Sequence, residues 1–224
     1  MGLGRIGLSV YVWLARRGLL QRGTILELGS QELYAKKCPQ LVAELFEHFG
    51  TRPIDDMASS GDLMRALGFS YESIDIDGKF GAHRYDLNRP VNLDGVYDIV
   101  TNHGTTEHCF DQAECLRTIH RACRPEGLMV HCVPFRGYDR HCFYLYKPEL
   151  FYDLAEANHY ELIGLWTSQD VKFLIHAEGL DLLKPHVRAS EEAEMRAGNL
   201  LLSCVMRKRN VTDFVPPIQK DYQL

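Results

Sequence analysis

The sequence has no C-x-x-C pair, although it contains seven cysteines spread along the chain. An odd and scattered set of cysteines argues against a disulfide framework and against a thiolate zinc site. It is typical of reduced thiols in a cytosolic protein. We therefore expect a cytoplasmic location.

An excess of basic residues is also missing. The net charge is −5, which gives no reason to expect a nucleic-acid partner. Internal repeats and low-complexity segments are absent as well. The length of 224 residues predicts a single domain, with an N-terminal helix in 1–22, a core in 23–209 and an extended, proline-containing tail in 210–224.

A long apolar run is the third feature that the sequence lacks. The segment from Ile6 to Ala15 is mostly apolar, but it is too short to span a bilayer. A basic pair follows this segment, on the wrong side for a signal peptide. Its apolar residues recur at helical spacing, so we expect a helix packed on a sheet and no membrane partner.

The stretch around which the chain is organised runs from Gly23 to Gln31. Its short apolar core, bounded by glycines, predicts a buried parallel strand. Gly29 follows at the carboxyl end of this strand, where open α/β sheets bind their ligands. A glycine there allows a sharp turn and a close approach of the backbone to a ligand. Glu27 stands two residues before it.

Strands and helices alternate along the rest of the chain, which predicts an α/β fold with a mostly parallel sheet. Ser60 is predicted to cap one helix, and Asp111 with Glu114 to form a capping box for another. The predicted further strands are 71–77, the short segment 83–88, 96–102, 128–133, 160–165 and 199–206, with a turn predicted at 124–127. The predicted further helices begin at Pro39, Ser60, Asp111 and Pro148.

Several of these segments together resemble the class I S-adenosylmethionine-dependent methyltransferases, over nearly the whole chain. The segments are Ile-Leu-Glu27-Leu-Gly29-Ser30, Ser-Ile-Asp75-Ile-Asp77, Tyr-Asp86-Leu87-Asn88, Tyr-Asp98-Ile-Val-Thr-Asn102-His-Gly104, Arg124-Pro-Glu-Gly127 and the strand up to Pro134. The resemblance implies a Rossmann-like seven-stranded sheet, flanked by helices on both faces, with the last strand antiparallel. It also implies a methyltransferase that uses S-adenosyl-L-methionine.

The resemblance assigns cofactor-binding roles to residues at the strand ends. Glu27, Gly29 and Ser30 lie in the turn beside the methionine part of the cofactor. The ribose hydroxyls fall to Asp75, with Asp77 as the competing acid. Asp86 and the backbone of Leu87 face the adenine, and the floor below the sulfonium runs from Asn102 to Gly104.

The family commonly has a second glycine after the first turn, and here the segment Ser30-Gln31-Glu32 stands in its place. This departure motivates a first alternative, a methyltransferase-like binding or partner subunit without catalysis. A second alternative is an NAD(P)-dependent oxidoreductase, against which the missing G-x-G-x-x-G pattern argues. Asp75 also follows the glycine turn at about twice the usual interval of about 20 residues, because two predicted helices intervene.

Histidines cluster after two of the predicted strands, and their near-neutral pKa suits removal of a proton from a hydroxyl. We select His108, His141 and His103 as candidate bases for methylation of a small molecule, with oxygen preferred to nitrogen as the acceptor. His131 and His120 are expected to be structural. His103 and Glu107 have the i, i+4 spacing of metal ligands on a helix, but the intervening residues predict a loop, so we assign no metal site.

Aromatic residues in the loop from Pro134 to Tyr146 predict a wall for an aromatic or apolar substrate, or a cover for the sheet edge. These residues are Phe135, Tyr138, Phe143, Tyr144 and Tyr146. The polar stretch 190–196 is a further candidate for substrate specificity. The proline-containing tail leaves a dimer open.

Overall fold

The computed structural model describes residues 2–93, 96–167 and 198–220. The helices in these residues are α1 (Arg5–Arg16), α2 (Pro39–Phe49), α3 (Ser60–Ala66), α4 (Gln112–Ala122) and α5 (Pro148–Ala157). The strands are β1 (Gly2–Leu3), β2 (Thr24–Leu28), β3 (Glu32–Leu33), β4 (Ser70–Asp75), β5 (His83–Arg84), β6 (Tyr97–His103), β7 (Cys123–Arg136), β8 (Glu161–Thr167) and β9 (Leu200–Arg207).

Seven of the described strands form one sheet, in the order β5–β4–β2–β6–β7–β9–β8. The pairs among β5, β4, β2, β6 and β7 are parallel, whereas β9 runs antiparallel to both β7 and β8. Helices α3, α4 and α5 contact the strands of this sheet. The predicted Rossmann-like fold, with its antiparallel last strand, is confirmed.

Strand β2 lies inside the sheet, between β4 and β6, and its side chains from Ile25 to Leu28 are buried on both faces. Ile25, Leu26 and Leu28 are each at most 1% exposed. The chain proceeds from β2 outward through β4 to β5, and then crosses to β6 on the other side of β2. A reversal of this kind leaves a crevice at the carboxyl ends of the strands, where α/β proteins bind ligands.

Helix α1 packs against the sheet, as its apolar spacing predicts. Its residues from Gly7 to Ala15 are buried. The Trp13 ring lies 4.9 Å from the Trp166 ring on β8, measured between centroids. On the same helix, the Tyr11 hydroxyl is 2.9 Å from Nε2 of His103 on β6. The helix is thereby tied to both β6 and β8.

The predicted starts of α2 and α3 have different outcomes. Helix α2 begins with Pro39 in its first turn and ends at Gly50 in the left-handed conformation, as Pro and Gly preferences predict. The cap of α3 is Ser59, so the prediction of Ser60 was wrong by one residue. Ser59 has extended backbone angles and an acid three residues later, whereas Ser60 is buried inside the helix.

The Ser59 cap gives a first prediction. Its hydroxyl accepts from the Asp62 amide at 3.1 Å, and the Asp62 carboxylate accepts from the Ser59 amide at 2.9 Å. Ser59→Ala is expected to lower the free energy of unfolding by about 1 kcal/mol, because it leaves a helix N–H without a partner. Urea denaturation measures this loss. The exposed Ser70→Ala should change stability by less than about 0.5 kcal/mol, and equal losses in both variants would contradict the assignment.

The structure corrects one predicted detail at the start of α4 and places another, the turn at 124–127, within β7. The Asp111 carboxylate accepts from the Glu114 amide at 2.9 Å, as a cap should. The Glu114 carboxylate, however, forms ion pairs with Arg117 and Arg121, because both are within reach on the same helix. The predicted turn at 124–127 is an insertion inside β7, where it lies opposite Asp98 in the pairing with β6.

Two remaining predictions concern the later part of the chain. The polar stretch 190–196 lies outside the described residues. In the predicted tail, residues 210–219 contain neither helix nor strand, in agreement with the prolines there. Among the described residues, no helix combines the length and the apolar character that a membrane span requires.

Candidate active site

A cleft opens at the carboxyl ends of β2, β4 and β6, where the order of the strands reverses. Parallel neighbours end at the same edge of a sheet, so the loops that follow these strands meet there. The residues that line the cleft are Ser30, Gln31, Asp75, Ile76, Tyr85, Asp86, Leu87, Asn88, Gly104, Thr105, His108 and Cys109. The cleft therefore contains six of the residues that the sequence predicts for the site.

Gly29 allows the loop after β2 to pack directly on the loop after β6. Its φ is +80°, and a Cβ atom at this position would collide with the Thr105 hydroxyl. That hydroxyl donates to the carbonyl of Leu28 at 2.8 Å, while the Gly29 amide donates to Ile74 at 2.7 Å. Both the backbone angle and the lack of space require glycine here.

Of the two competing acids after β4, Asp75 is the one in the cleft. Its carboxylate accepts from the Ser30 amide at 2.8 Å, which joins the end of β4 to the glycine turn. Asp77 lies two residues further along and forms an ion pair with Lys79 at 2.9 Å. The hydrogen bond from Lys79 lowers the pKa of Asp77. Asp77 thus already has a cationic partner outside the cleft.

Asp86 and Leu87 lie on the opposite wall, in a segment fixed by Asn88. The Asp86 carboxylate accepts from the Asn88 amide at 3.0 Å and from its side chain at 2.8 Å. These bonds lower the pKa of Asp86, so it is ionised at neutral pH. The Asn88 side-chain oxygen accepts in turn from the amides of Phe110 and Asp111. The wall is therefore attached to the start of α4.

Glu27 lies beneath the cleft and is fully buried. One carboxylate oxygen accepts from the Tyr71 hydroxyl at 2.5 Å, from the Ser60 hydroxyl and from the Gln31 amide. Burial raises the pKa of Glu27 to about 7. Its contacts hold the glycine turn from below, and the other predicted turn residue, Ser30, reaches the cleft itself.

The residues predicted to form the floor below the sulfonium, at the end of β6, point in different directions. Asn102 is buried and accepts from the Thr106 amide at 3.2 Å, which shapes the turn. His103 points to Tyr11 on α1, and burial lowers its pKa to about 4. Gly104 lines the cleft. His103 therefore lies on the helix side of the strand, away from the cleft.

Gln31 is a cleft residue that the sequence analysis did not select. Its side chain is 3% exposed, and its amide nitrogen donates to the Thr105 hydroxyl at 3.2 Å. Its amide oxygen has no hydrogen-bond donor among the described residues. A buried acceptor without a donor is costly unless a ligand supplies one. The only signal in the sequence was its position directly after the Gly-Ser turn.

His108 and His141 lie together at the rim, and Glu107 is beneath them. The two imidazole rings are 4.9 Å apart between centroids. Burial and the neighbouring His141 lower the pKa of His108, so its imidazole is neutral at pH 7. Glu107 is fully buried, and burial raises its pKa to about 7. The spacing of His103 and Glu107 gave no indication of this cluster, because His103 faces the other way.

The two histidines expected to be structural are buried. His131 is 2% exposed, and its ring lies 5.1 Å from Phe151. His120 hydrogen-bonds to the Tyr160 hydroxyl at 2.6 Å. Both predictions agree with these positions.

The predicted aromatic wall is divided between core and surface. Tyr146 is buried, and its hydroxyl donates to Gln112 at 2.5 Å. Tyr138 lies 5.5 Å from the His141 ring. The Tyr144 hydroxyl donates to the carbonyl of Phe110 at 3.0 Å. The side chains of Phe143 and Phe110 are exposed, at 72% and 78%. An apolar surface therefore exists at the rim, but Tyr146 belongs to the core.

The methyltransferase domain model matches residues 34–184 of this chain. The chain belongs to the methyltransferase domain family. It is a class I, S-adenosylmethionine-dependent methyltransferase, as its fold and the order of its motifs also indicate. A search of curated proteins gives no match for this methyltransferase.

Solved structures with the same fold share little sequence with this methyltransferase. One is a Galdieria sulphuraria protein described as a sarcosine dimethylglycine methyltransferase, with 18% identity, a TM-score of 0.55 and coverage of 91% of this chain and 86% of that chain. Another is the Burkholderia thailandensis 1,6-didemethyltoxoflavin-N1-methyltransferase, solved with 1,6-didemethyltoxoflavin and S-adenosylhomocysteine. Its sequence identity is 12% and its TM-score 0.53, and the match covers 92% of this chain and 78% of that chain. A third is an O-methyltransferase from a Brevibacillus brevis trans-AT PKS multienzyme in complex with S-adenosylhomocysteine. Its sequence identity is 11% and its TM-score 0.53, and the match covers 92% of this chain and 73% of that chain.

The residues in the cleft of this methyltransferase fit S-adenosylmethionine, the cofactor of its class. The cofactor carries an ammonium group, two ribose hydroxyls and an adenine amino group, all of which donate hydrogen bonds. The cleft offers acceptors on three sides, at Gln31, Asp75 and Asp86. The Gln31 oxygen in particular lacks a donor among the described residues. The side chains of Ile76 and Tyr85 add apolar surface for a purine.

Proposed function

We propose that this methyltransferase acts on a small molecule and methylates oxygen in preference to nitrogen. The observation that carries the proposal is one cleft in which Asp75, Asp86 and His108 face the same space. The two acids suit the sugar and the base of the cofactor, while an imidazole suits a nearby hydroxyl. The bound cofactor supplies an activated methyl group, so the protein must chiefly position the acceptor and manage its proton.

We assign the cofactor-binding roles from the position of each residue in or beside the cleft. Asp75 accepts from the ribose hydroxyls while it holds the Ser30 amide. Asp86 accepts from the adenine amino group, and the Leu87 backbone faces the ring. Gly29 and Gln31 lie beside the methionine part, and Glu27 supports this turn from below. Asn102 shapes the turn that brings Gly104 into the cleft.

His108 is the best placed of the three predicted bases. It lines the cleft, whereas His103 faces α1 and the described lining does not include His141, whose ring lies 4.9 Å from that of His108. A neutral imidazole there can accept a proton from a hydroxyl as the acceptor is methylated. Amine acceptors need no such base when they are already neutral, so an imidazole at this position favours oxygen. The exposed Phe110 and Phe143 suit an aromatic or apolar acceptor.

A methyltransferase-like partner subunit without turnover is the alternative. It is favoured by the altered turn at Ser30-Gln31, which lacks the second glycine common in the family. In this alternative the cleft has lost its catalytic function, or it binds the cofactor for regulation alone. Cofactor binding without methylation of any acceptor in a broad substrate screen would support the alternative.

Calorimetric titration with S-adenosylmethionine and with S-adenosylhomocysteine tests the cofactor site. We expect binding of both in the micromolar range, about −8 kcal/mol, because the acceptors of the cleft already stand in place. NADH serves as the control ligand and should not bind. A folded protein that binds neither sulfur compound would contradict the proposed cofactor site.

A further inference from the structure

Glu107 is a buried carboxylate whose charge is not balanced within the described structure. The residue is fully buried, and neither carboxylate oxygen has a hydrogen-bond donor among the described residues. A buried carboxylate is costly unless it is paired, hydrogen-bonded or coordinated to a metal. The position of Glu107 therefore points to a cation that the described residues do not supply.

Two imidazoles meet this carboxylate from the solvent side. One ligand atom from each of Glu107, His108 and His141 can be chosen so that all three lie within 4.8 Å of one another. His108 and His141 are exposed, while Glu107 is buried. The cluster is thus a half-open site with a buried carboxylate at its base and two exposed imidazoles at its mouth.

Backbone hydrogen bonds hold the two halves of the cluster together. The carbonyl of Glu107 accepts from the Phe143 amide at 3.0 Å and from the Tyr144 amide at 3.3 Å. The His141 amide donates to the Tyr138 carbonyl at 2.9 Å, which closes a turn. The loop that carries His141 is therefore attached directly to the residue that carries the carboxylate. This attachment fixes the approach of two segments that are distant in sequence.

We propose that Glu107, His108 and His141 bind a divalent transition-metal ion at the rim of the cofactor cleft. Imidazole suits Zn²⁺, Fe²⁺ and similar ions, whereas Mg²⁺ and Ca²⁺ prefer sets of oxygen ligands. Nitrogen and oxygen ligands lie about 2.0–2.2 Å from such an ion, so the ligand atoms of a tetrahedral site are roughly 3.4 Å apart. The ligand atoms of the cluster, all within 4.8 Å of one another, are close to that separation.

The site deepens the proposed function, on which this part of the inference rests. Three protein ligands leave coordination positions open, and His108 brings those positions to the cleft. An acceptor with a hydroxyl beside a second oxygen, such as a carbonyl, carboxylate or another hydroxyl, can occupy two of them. The cation lowers the pKa of the coordinated hydroxyl, which releases its proton to water. His108 then acts as a ligand and no longer as the proton acceptor.

Absorption spectroscopy with Co²⁺ tests the site, since this ion replaces Zn²⁺ and its visible bands report its ligands. The full chain is first stripped of metal with a chelator and then titrated. We expect one equivalent of Co²⁺ per chain, with visible bands and no thiolate charge-transfer band. A thiolate band would assign the ion to the nearby cysteines Cys109 or Cys142 and overturn the proposal, as would the absence of any bands.

Variants identify the ligands. Glu107→Gln keeps the size of the buried side chain, and His141→Ala changes an exposed loop residue; each should weaken Co²⁺ binding at least tenfold. His83→Ala is the matched control, because His83 also lies near a carboxylate, 3.7 Å from Glu72, but without a third ligand. Equal affinity of the wild type and Glu107→Gln would overturn the assignment.

Titration of the metal-free protein with S-adenosylhomocysteine separates this inference from the proposed function. Binding of S-adenosylhomocysteine together with a failure to bind Co²⁺ would overturn the metal site alone and leave His108 as the base. Binding of Co²⁺ together with a failure to bind S-adenosylhomocysteine would overturn the cofactor site and the acceptor role of the metal. Binding of both, each to its own residues, supports the inference.

Discussion

Replacing Asp75 by alanine is expected to weaken the binding of S-adenosylmethionine at least tenfold. Asp75 is the acid at the end of β4 that lines the cleft and accepts from the Ser30 amide. Its removal deletes a charged acceptor for the ribose hydroxyls, and a hydrogen bond to a charged group contributes about 1.5–3 kcal/mol. Calorimetric titration of wild type and variant measures the loss.

Two further variants make this result specific. Asp75→Asn keeps an oxygen for the Ser30 amide but removes the charge, so a loss in this variant reports on the ligand as well as on the turn. Asp77→Ala is the matched control, because Asp77 pairs with Lys79 outside the cleft and should leave affinity nearly unchanged. A loss confined to Asp77→Ala would assign the ribose to Asp77.

Glu27→Gln is expected to remove a large part of the pH dependence of stability. The pKa of Glu27 is raised from 4.5 to about 7 by burial. The folded state therefore retains a proton that the unfolded state releases between these pH values. The stabilisation is fully present below pH 4.5 and is lost as the pH rises through about 7. The pKa difference corresponds to roughly 3 kcal/mol, and glutamine cannot ionise.

Urea denaturation at pH 5 and pH 8.5, without metal or cofactor, measures this effect. Between these values the wild type should lose roughly 2–3 kcal/mol more than the variant. Glu107 titrates in the same direction, but its contribution is common to both proteins and cancels in the comparison. Glu47→Gln removes an exposed carboxylate on α2 and should leave the pH dependence as in the wild type. Parallel pH profiles for wild type and Glu27→Gln would contradict the prediction.

The sequence was sufficient to predict the fold, because the relevant signals are local. The apolar run before Gly29, the acids after the second and third predicted strands and the Pro39 helix start each depend on neighbours in the chain. Their order then predicts the sheet. The capping residue of α3 was missed by one position, since Ser59 and Ser60 are adjacent and only the backbone angles distinguish them.

The site was less accessible to prediction because it depends on the direction of side chains. Glu27 and Asp75 both follow the pattern of cofactor acids, yet one lies beneath the cleft and the other in it. His103 and His108 are equally polar in sequence, but His103 faces Tyr11. The meeting of Glu107 with His141 requires a loop to fold back through backbone hydrogen bonds. No pattern in the neighbouring sequence predicts such a contact.

The position of β9 has a consequence for how the protein is made. Strand β9 lies between β7 and β8, although it follows both in sequence. During synthesis β7 and β8 therefore leave the ribosome before the strand that joins them exists. Until residue 207 has emerged, β8 lacks its partner and β7 presents an open edge, which invites pairing with other chains. We expect nascent chains that stop short of β9 to depend on chaperones, whereas the parallel strands around the cleft can pair earlier.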